Sequence, residues 1–180
     1  LLTASDLNAR GGWEKHIDWN IDRAAPVDEG RVFEARLKVK SYTANANGDT
    51  GIVFGCQIPK DAGFAVVDVE LSEGGVRLRS AIGSLNEYVF NWNDGDAHTY
   101  RVLADRISNT VSLVIDDVVQ APAASLTDFA YGINGTQAHF GCTGRDINSG
   151  FDDDIKATVE WHSLHVHVKA PAAAKRTIGV

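Results

Sequence analysis

The stretch Arg31-Val32-Phe33-Glu34-Ala35-Arg36-Leu37-Lys38-Val39-Lys40 alternates strictly in polarity from Phe33 onward. Phe33, Ala35, Leu37 and Val39 share one parity; Glu34, Arg36, Lys38 and Lys40 share the other. A period of two marks a strand with one face buried and the other in water. The pattern recurs. Residues 64–71 put Ala65, Val67, Val69 and Leu71 on one face. After the hairpin signal Glu73-Gly74-Gly75, residues 76–80 turn Val76 and Leu78 inward and Arg77 and Arg79 outward. Residues 51–57, 86–92, 99–104, 110–115, 137–142 and 159–168 read as further strands, with loops at 41–50 and 143–153. About nine strands at short spacing, with few stretches that read as a long helix, predict an all-β fold, an antiparallel two-sheet β-sandwich. One domain is expected over residues 1–169, with an Ala-rich tail or linker over 170–180.

The 180 residues suffice to bury a sizeable core. The formal net charge of -7 argues against nucleic acid as the main partner, because phosphate binding needs clustered Lys and Arg. No apolar run reaches the ~18 residues of a membrane span. The chain lacks Met altogether and carries no signal peptide, so it reads as a mature or trimmed segment, or as a domain excised from a larger protein. A secreted or extracellular location is the expectation. Cys56 and Cys142 each sit in the string Phe-Gly-Cys, on separate strands. They either pair as a disulfide, if those strands are neighbours, or remain two buried thiols. Asn134-Gly135-Thr136 matches a glycosylation sequon.

Several groups of residues are candidates for function. Asn86, Tyr88, Phe90 and Trp92 share a parity, so their rings form either a platform for sugar C–H faces or part of the core. Trp13 and Trp19 either line a groove or cover one end of the core. Asp68 and Glu70 point away from Val67 and Val69, roughly 6–7 Å apart by strand rise. That spacing suits the paired carboxylates of a glycosidase, although Arg77 and Arg79 across the hairpin offer an ordinary solvated ion-pair ladder instead. His165 and His167 share a parity with Trp161 and Ser163, a two-ligand metal arrangement that lacks a third ligand. Asp146, Asp152, Asp153 and Asp154 cluster in a Gly-rich loop, and such hard oxygen ligands suit a structural Ca²⁺. No nucleophile elbow, phosphate loop or dinucleotide fingerprint is present.

Three segments carry a family likeness. They are His98-Thr99-Tyr100-Arg101-Val102; Val111-Ser112-Leu113-Val114-Ile115-Asp116-Asp117; and Ala138-His139-Phe140-Gly141, followed by Val159-Glu160-Trp161-His162-Ser163-Leu164-His165-Val166. Their order resembles the concanavalin A-like, laminin G-like jelly rolls over about residues 90–168. Asp117 stands where that superfamily usually has Gly, and His162 where an acid is common. The resemblance implies a ligand on the concave face of one sheet, and a structural calcium would not be unusual. It also implies a lyase alternative in which His98 and Tyr100 act as base and acid with Arg101 beside them. The fuller acidic string of jelly-roll glucanases, Glu-x-Asp-x-x-Glu, is absent.

Function is therefore expected to be carbohydrate binding, with Tyr88, Trp92, Arg77, Arg79 and Trp19 as ligand contacts. The alternatives are a glycan-degrading hydrolase or lyase, using Asp68 and Glu70 or His98 and Tyr100, and an adhesion or assembly domain. Fold alone does not choose among them.

Overall fold

In the computed structural model, residues 2–3, 13–18, 31–60, 63–80, 83–105, 108–125, 137–142, 145–146, 150–151 and 155–168 are described. Within them every regular element is a strand. One sheet runs in the order β1 (Leu2–Thr3), β15 (Lys156–Val168), β3 (Arg31–Thr43), β8 (His98–Asp105), β9 (Thr110–Ile115) and β10 (Val118–Val119), with β11 (Ala124–Ser125) also on β9. The other runs β2 (Trp13–Asp18), β12 (Gln137–Cys142), β4 (Asp49–Lys60), β5 (Gly63–Ser72), β6 (Gly75–Ser80) and β7 (Gly83–Tyr88). β13 (Arg145–Asp146) and β14 (Gly150–Phe151) form a small separate pair within the expected 143–153 loop. All pairings are antiparallel, so the chain is the two-sheet β-sandwich that the alternation predicts.

The apolar parity of each strand meets between the sheets. Phe33, Ala35, Leu37 and Val39 from β3 are buried, as are Tyr100, Val102 and Ala104 from β8. Facing them are Ala65, Val67, Val69 and Leu71 from β5, all fully buried, with Val76 and Leu78 from β6. Phe54 of β4 is the hub. It stacks on Phe33 at 6.3 Å and meets Tyr100 and Trp161 edge-on at 5.3 and 5.8 Å. Truncating so central a ring costs about 3–5 kcal/mol in comparable cores.

Two irregularities re-aim side chains. A bulge between Trp161 and Ser163 sets Trp161 opposite Leu37 but Ser163 opposite Arg36. Trp161 therefore packs on the core rings Phe54 and Phe140, while Ser163 and His165 fall in register with the charged parity of β3. The expected shared face of Trp161, Ser163, His165 and His167 is broken, because one inserted residue reverses strand parity. A second bulge lies between Asp49 and Ile52, where Gly51 has a φ of 68°. It buries Asp49, which ion-pairs with Arg77, and Thr50, whose hydroxyl donates to the Leu71 carbonyl.

The strands carrying the two cysteines are neighbours, yet the register excludes a disulfide between them. Cys56 stands opposite Ala138 and Cys142 opposite Ile52, four rungs apart. Four residues of strand rise separate them by about 13 Å, beyond the ~7 Å Cα limit for a bridge. The sequon at Asn134 lies outside the described residues.

Candidate functional site

The charged face of the six-stranded sheet is set by register. One row across the strands reads Glu14, Gly141, Val53, Glu70, Arg77 and Glu87. The next reads His16, His139, Gly55, Asp68, Arg79 and Ser84. Residues directly opposite in an antiparallel sheet share one face, so each row is a register line across six strands.

Glu70 is fully buried although it belongs to this outer face, so the expected solvated ladder is corrected here. The two arginines roof it, with side chains only 14% and 15% exposed. Arg79 Nη1 donates to Glu70 Oε2 at 3.1 Å, and Arg77 Nη1 lies 4.0 Å from the same oxygen. Arg77 is shared further. It ion-pairs with Asp49, and its Nε donates to Glu87 Oε1 at 3.2 Å, an oxygen that also accepts from Ser72 Oγ at 3.1 Å. Glu70 Oε1 and Arg79 Nε have no hydrogen-bond partner among the described residues. Burial dominates the Glu70 carboxyl and raises its pKa from 4.5 to about 7; Arg79 and Arg77 oppose the rise and Asp49 adds to it.

Gly55 is the bare position of the second row. A Cβ there would stand 2.2 Å from the Val67 carbonyl oxygen and 2.8 Å from Asp68 Oδ1. Only glycine lets β5 and the Asp68 carboxylate approach so closely. Asp68 thus leans over β4, toward the strand that carries His139.

The aromatic platform is corrected to core. Strand β7 ends at Tyr88, and the parity of Tyr88, Phe90 and Trp92 persists into the following loop, but it points between the sheets. Tyr88 is 4% and Trp92 3% exposed, whereas Val89 between them is 94% exposed. Trp92 Nε1 donates to the Ser72 and Gly75 carbonyls at 2.7 and 2.9 Å, and the Tyr88 hydroxyl donates to the Pro122 carbonyl at 2.9 Å. Neither ring offers a face to a sugar. Trp19 lies outside the described residues.

The acid–base pair expected from His98 and Tyr100 is also corrected. Both belong to the inward parity of β8, and the Tyr100 ring is fully buried in the aromatic cluster. Burial, with Asp116 and Asp94 nearby, pushes its hydroxyl far above the usual phenol range. His98 instead ties the chain together. Its Nδ1 meets Asp116 Oδ2 at 2.6 Å and its Nε2 meets Asp94 Oδ1 at 3.0 Å. An imidazole with a carboxylate on each nitrogen donates twice, so the ring is an imidazolium. Burial alone would lower its pKa, but the bonds to Asp116 and Asp94 outweigh it and raise it. Arg101 faces the other way, onto Glu34 at 2.8 Å and Asp117 at 3.3 Å.

For the calcium expectation, Asp146 lies in β13, while Asp152, Asp153 and Asp154 lie outside the described residues. Among the described residues no group of three or more His, Cys, Asp or Glu is arranged to hold a metal ion. No described helix is long and apolar enough to cross a membrane.

The site row contains one residue that sequence reading passed over. His139 was read only as part of a fold motif. Its signal was parity: Ala138 and Phe140 flank it, and Phe140 packs on core Trp161.

Two antiparallel sheets around one core, with a charged outer face on the second, define a jelly-roll sandwich. Solved structures share this architecture. Alginate lyase A1-II′, a member of polysaccharide lyase family 7, superposes with a TM-score of 0.54 at 12% identity, over 79% of this chain and 63% of that one. Alginate lyase AlgAT5 from the same family gives 0.51 at 10% identity, over 79% and 60%. A product complex of an A1-II′ variant gives 0.54 at 11% identity, over 88% and 73%. The chain thus spans about three-fifths of the length of A1-II′ and AlgAT5. At these identities the likeness is one of fold. No protein-family model matches the sequence, and no curated protein matches it.

Proposed function

We propose that this chain is a secreted glycan-degrading domain that cleaves an acidic polysaccharide by elimination on the outer face of the six-stranded sheet. The observation that carries the reading is the register row His139, Gly55, Asp68 and Arg79, which aligns a histidine, a carboxylate residue and an arginine across four neighbouring strands of a jelly roll. The structural neighbours are alginate lyases, which supports the enzyme over a purely binding role. Elimination needs a base to remove the proton beside the sugar carboxylate. The C–H electron pair becomes the new C=C bond, the C–O bond to the leaving sugar breaks, and the departing oxygen takes a proton from water. His139 is the base in this reading. Arg79 lies three strand spacings from His139, about 14 Å, so on a chain lying across the strands it would attract a carboxylate of a sugar beyond the one at His139.

The test is incubation with a panel of acidic and neutral polysaccharides, following the absorbance of the unsaturated product and the release of reducing ends. Unsaturated ends from an acidic polysaccharide, lost in His139→Ala, are expected. Reducing ends without unsaturation would make the chain a hydrolase and overturn the elimination step. A second reading, binding without cleavage, is favoured by the pairing of Arg77 and Arg79 with Asp49, Glu70 and Glu87, which makes that end of the face rigid. Calorimetry showing saturable binding with no product from any polysaccharide would select it.

A further inference from the structure

We propose that the outer face of the other sheet, the one built on β3 and β15, is a second, non-cleaving binding site for an acidic polysaccharide, formed by Arg36, Lys38, Lys40 and Lys156; its ligand class rests on the function proposed above. The four side chains belong to the outward parity. Leu37, Val39 and Ala157 beside them are buried, whereas Arg36, Lys40 and Lys156 are exposed and Lys38 is half-buried. Arg36 stands opposite Ser163, Lys38 opposite Glu160, and Lys156 opposite Thr43 at the far end of β3. The bulge in this pairing inserts Lys40 between Val39 and Ser41, so Lys40 and Ser41 are both exposed. From Arg36 to Thr43 the strand advances roughly 20 Å, so the cations form a line rather than a point.

Acids are outnumbered along this line. Glu34, the neighbouring acid on β3, is held by Arg101 at 2.8 Å. Among the described residues that leaves Glu160, which takes Lys40 Nζ at 2.7 Å. That bond, with His162 and Lys38 nearby, holds the Glu160 carboxyl below its usual range. In a chain of net charge -7, this face therefore keeps a local excess of positive charge. A polymer with a carboxylate on each sugar repeats its charge along a line and complements such a row. No Trp, Tyr or Phe stands among the described outward residues of β3 and β15, so charge holds the ligand rather than ring stacking, and salt weakens it. Ser41 and Thr158, register partners, add hydroxyls for the sugar. The outer faces of a sandwich look away from each other, so polymer held here leaves the proposed cleavage face open and raises the local substrate concentration.

The experiment measures binding of alginate, polygalacturonate, neutral dextran and duplex DNA to the full chain at low and physiological salt. Wild type is compared with the triple variant Arg36→Gln, Lys38→Gln, Lys156→Gln; Lys40 is kept so that Glu160 retains its partner. A charge-conserving triple variant, Arg36→Lys, Lys38→Arg, Lys156→Arg, controls for folding and should bind as the wild type does. Wild type is expected to bind at least one of the two polyuronates, more weakly as salt rises, and the Gln variant to lose about tenfold in affinity. On a polysaccharide that the chain cleaves, the Gln variant should raise KM for the polymer and leave kcat unchanged. Equal binding by the Gln variant and wild type overturns the second site even if the enzyme cleaves. Dextran bound as tightly as the polyuronates, or duplex DNA bound more tightly, overturns the assigned ligand. Affinity lost in the Gln variant of a protein that cleaves nothing keeps the second site and removes the proposed function instead.

Discussion

Glu70 should make this fold less stable as the pH rises through neutrality. In the unfolded chain its carboxyl titrates near 4.5, and in the folded protein near 7. Between those values the native state holds a proton that the unfolded state has lost, so rising pH favours unfolding. The rise from 4.5 to about 7, at ~1.4 kcal/mol per pH unit, corresponds to about 3 kcal/mol. The cause is full burial, which outweighs the Arg79 guanidinium bonded to Glu70, while Arg77 is shared with Asp49 and Glu87. Glu70→Gln keeps the shape and removes the titration. Urea unfolding of both proteins from about pH 4 to about pH 8 isolates the effect, because other groups cancel in the difference. The variant should gain about 3 kcal/mol relative to the wild type across that range, or roughly 6–12 °C in Tm. A flat difference would refute the reasoning. A difference of opposite sign would mean that the two guanidiniums overcompensate burial and hold Glu70 ionised below its ordinary pKa.

Other residues give independent tests. His98→Gln should cost roughly 2–3 kcal/mol near pH 6 by weakening the bonds to Asp94 and Asp116. Because the His98 pKa is raised, that stability is present below the ordinary imidazole value and is lost as pH rises through the folded one; the gap between variant and wild type should narrow on the alkaline side. A gap that widens there would contradict the imidazolium assignment. Trp92→Phe should destabilise by about 1–3 kcal/mol, since the Ser72 and Gly75 carbonyls lose the indole donor and Gly75 keeps Ser72 Oγ, yet leave polysaccharide affinity unchanged. Affinity lost at constant stability would return Trp92 to the ligand surface. Gly55→Ala should cost about 1–3 kcal/mol or more in thermal unfolding, because its Cβ would collide with the Val67 carbonyl; a neutral outcome would dismiss that close approach. Non-reducing peptide mapping should recover no Cys56–Cys142 cross-link, and finding one would overturn the β4–β12 register.

The amino-acid sequence by itself determined the strands and their buried faces. Alternation is a local property, so Phe33 to Val39 and Ala65 to Leu71 declare their inward sides without knowledge of any partner. It also placed Asp68, Glu70, Arg77 and Arg79 on the outward side of one hairpin. Only the tertiary structure decided what each face meets. Tyr88, Phe90 and Trp92 share a parity as read, but whether that parity faces sugar or core depends on which sheet lies above it. His98 and Tyr100 likewise belong together, yet inward. The bulge after Trp161 was invisible because one inserted residue changes no composition and reverses every parity beyond it. Register across strands far apart in sequence excluded the Cys56–Cys142 bridge and aligned His139 with Gly55 and Asp68. Pairing between distant strands follows from the closure of the whole sheet, and no local pattern encodes it.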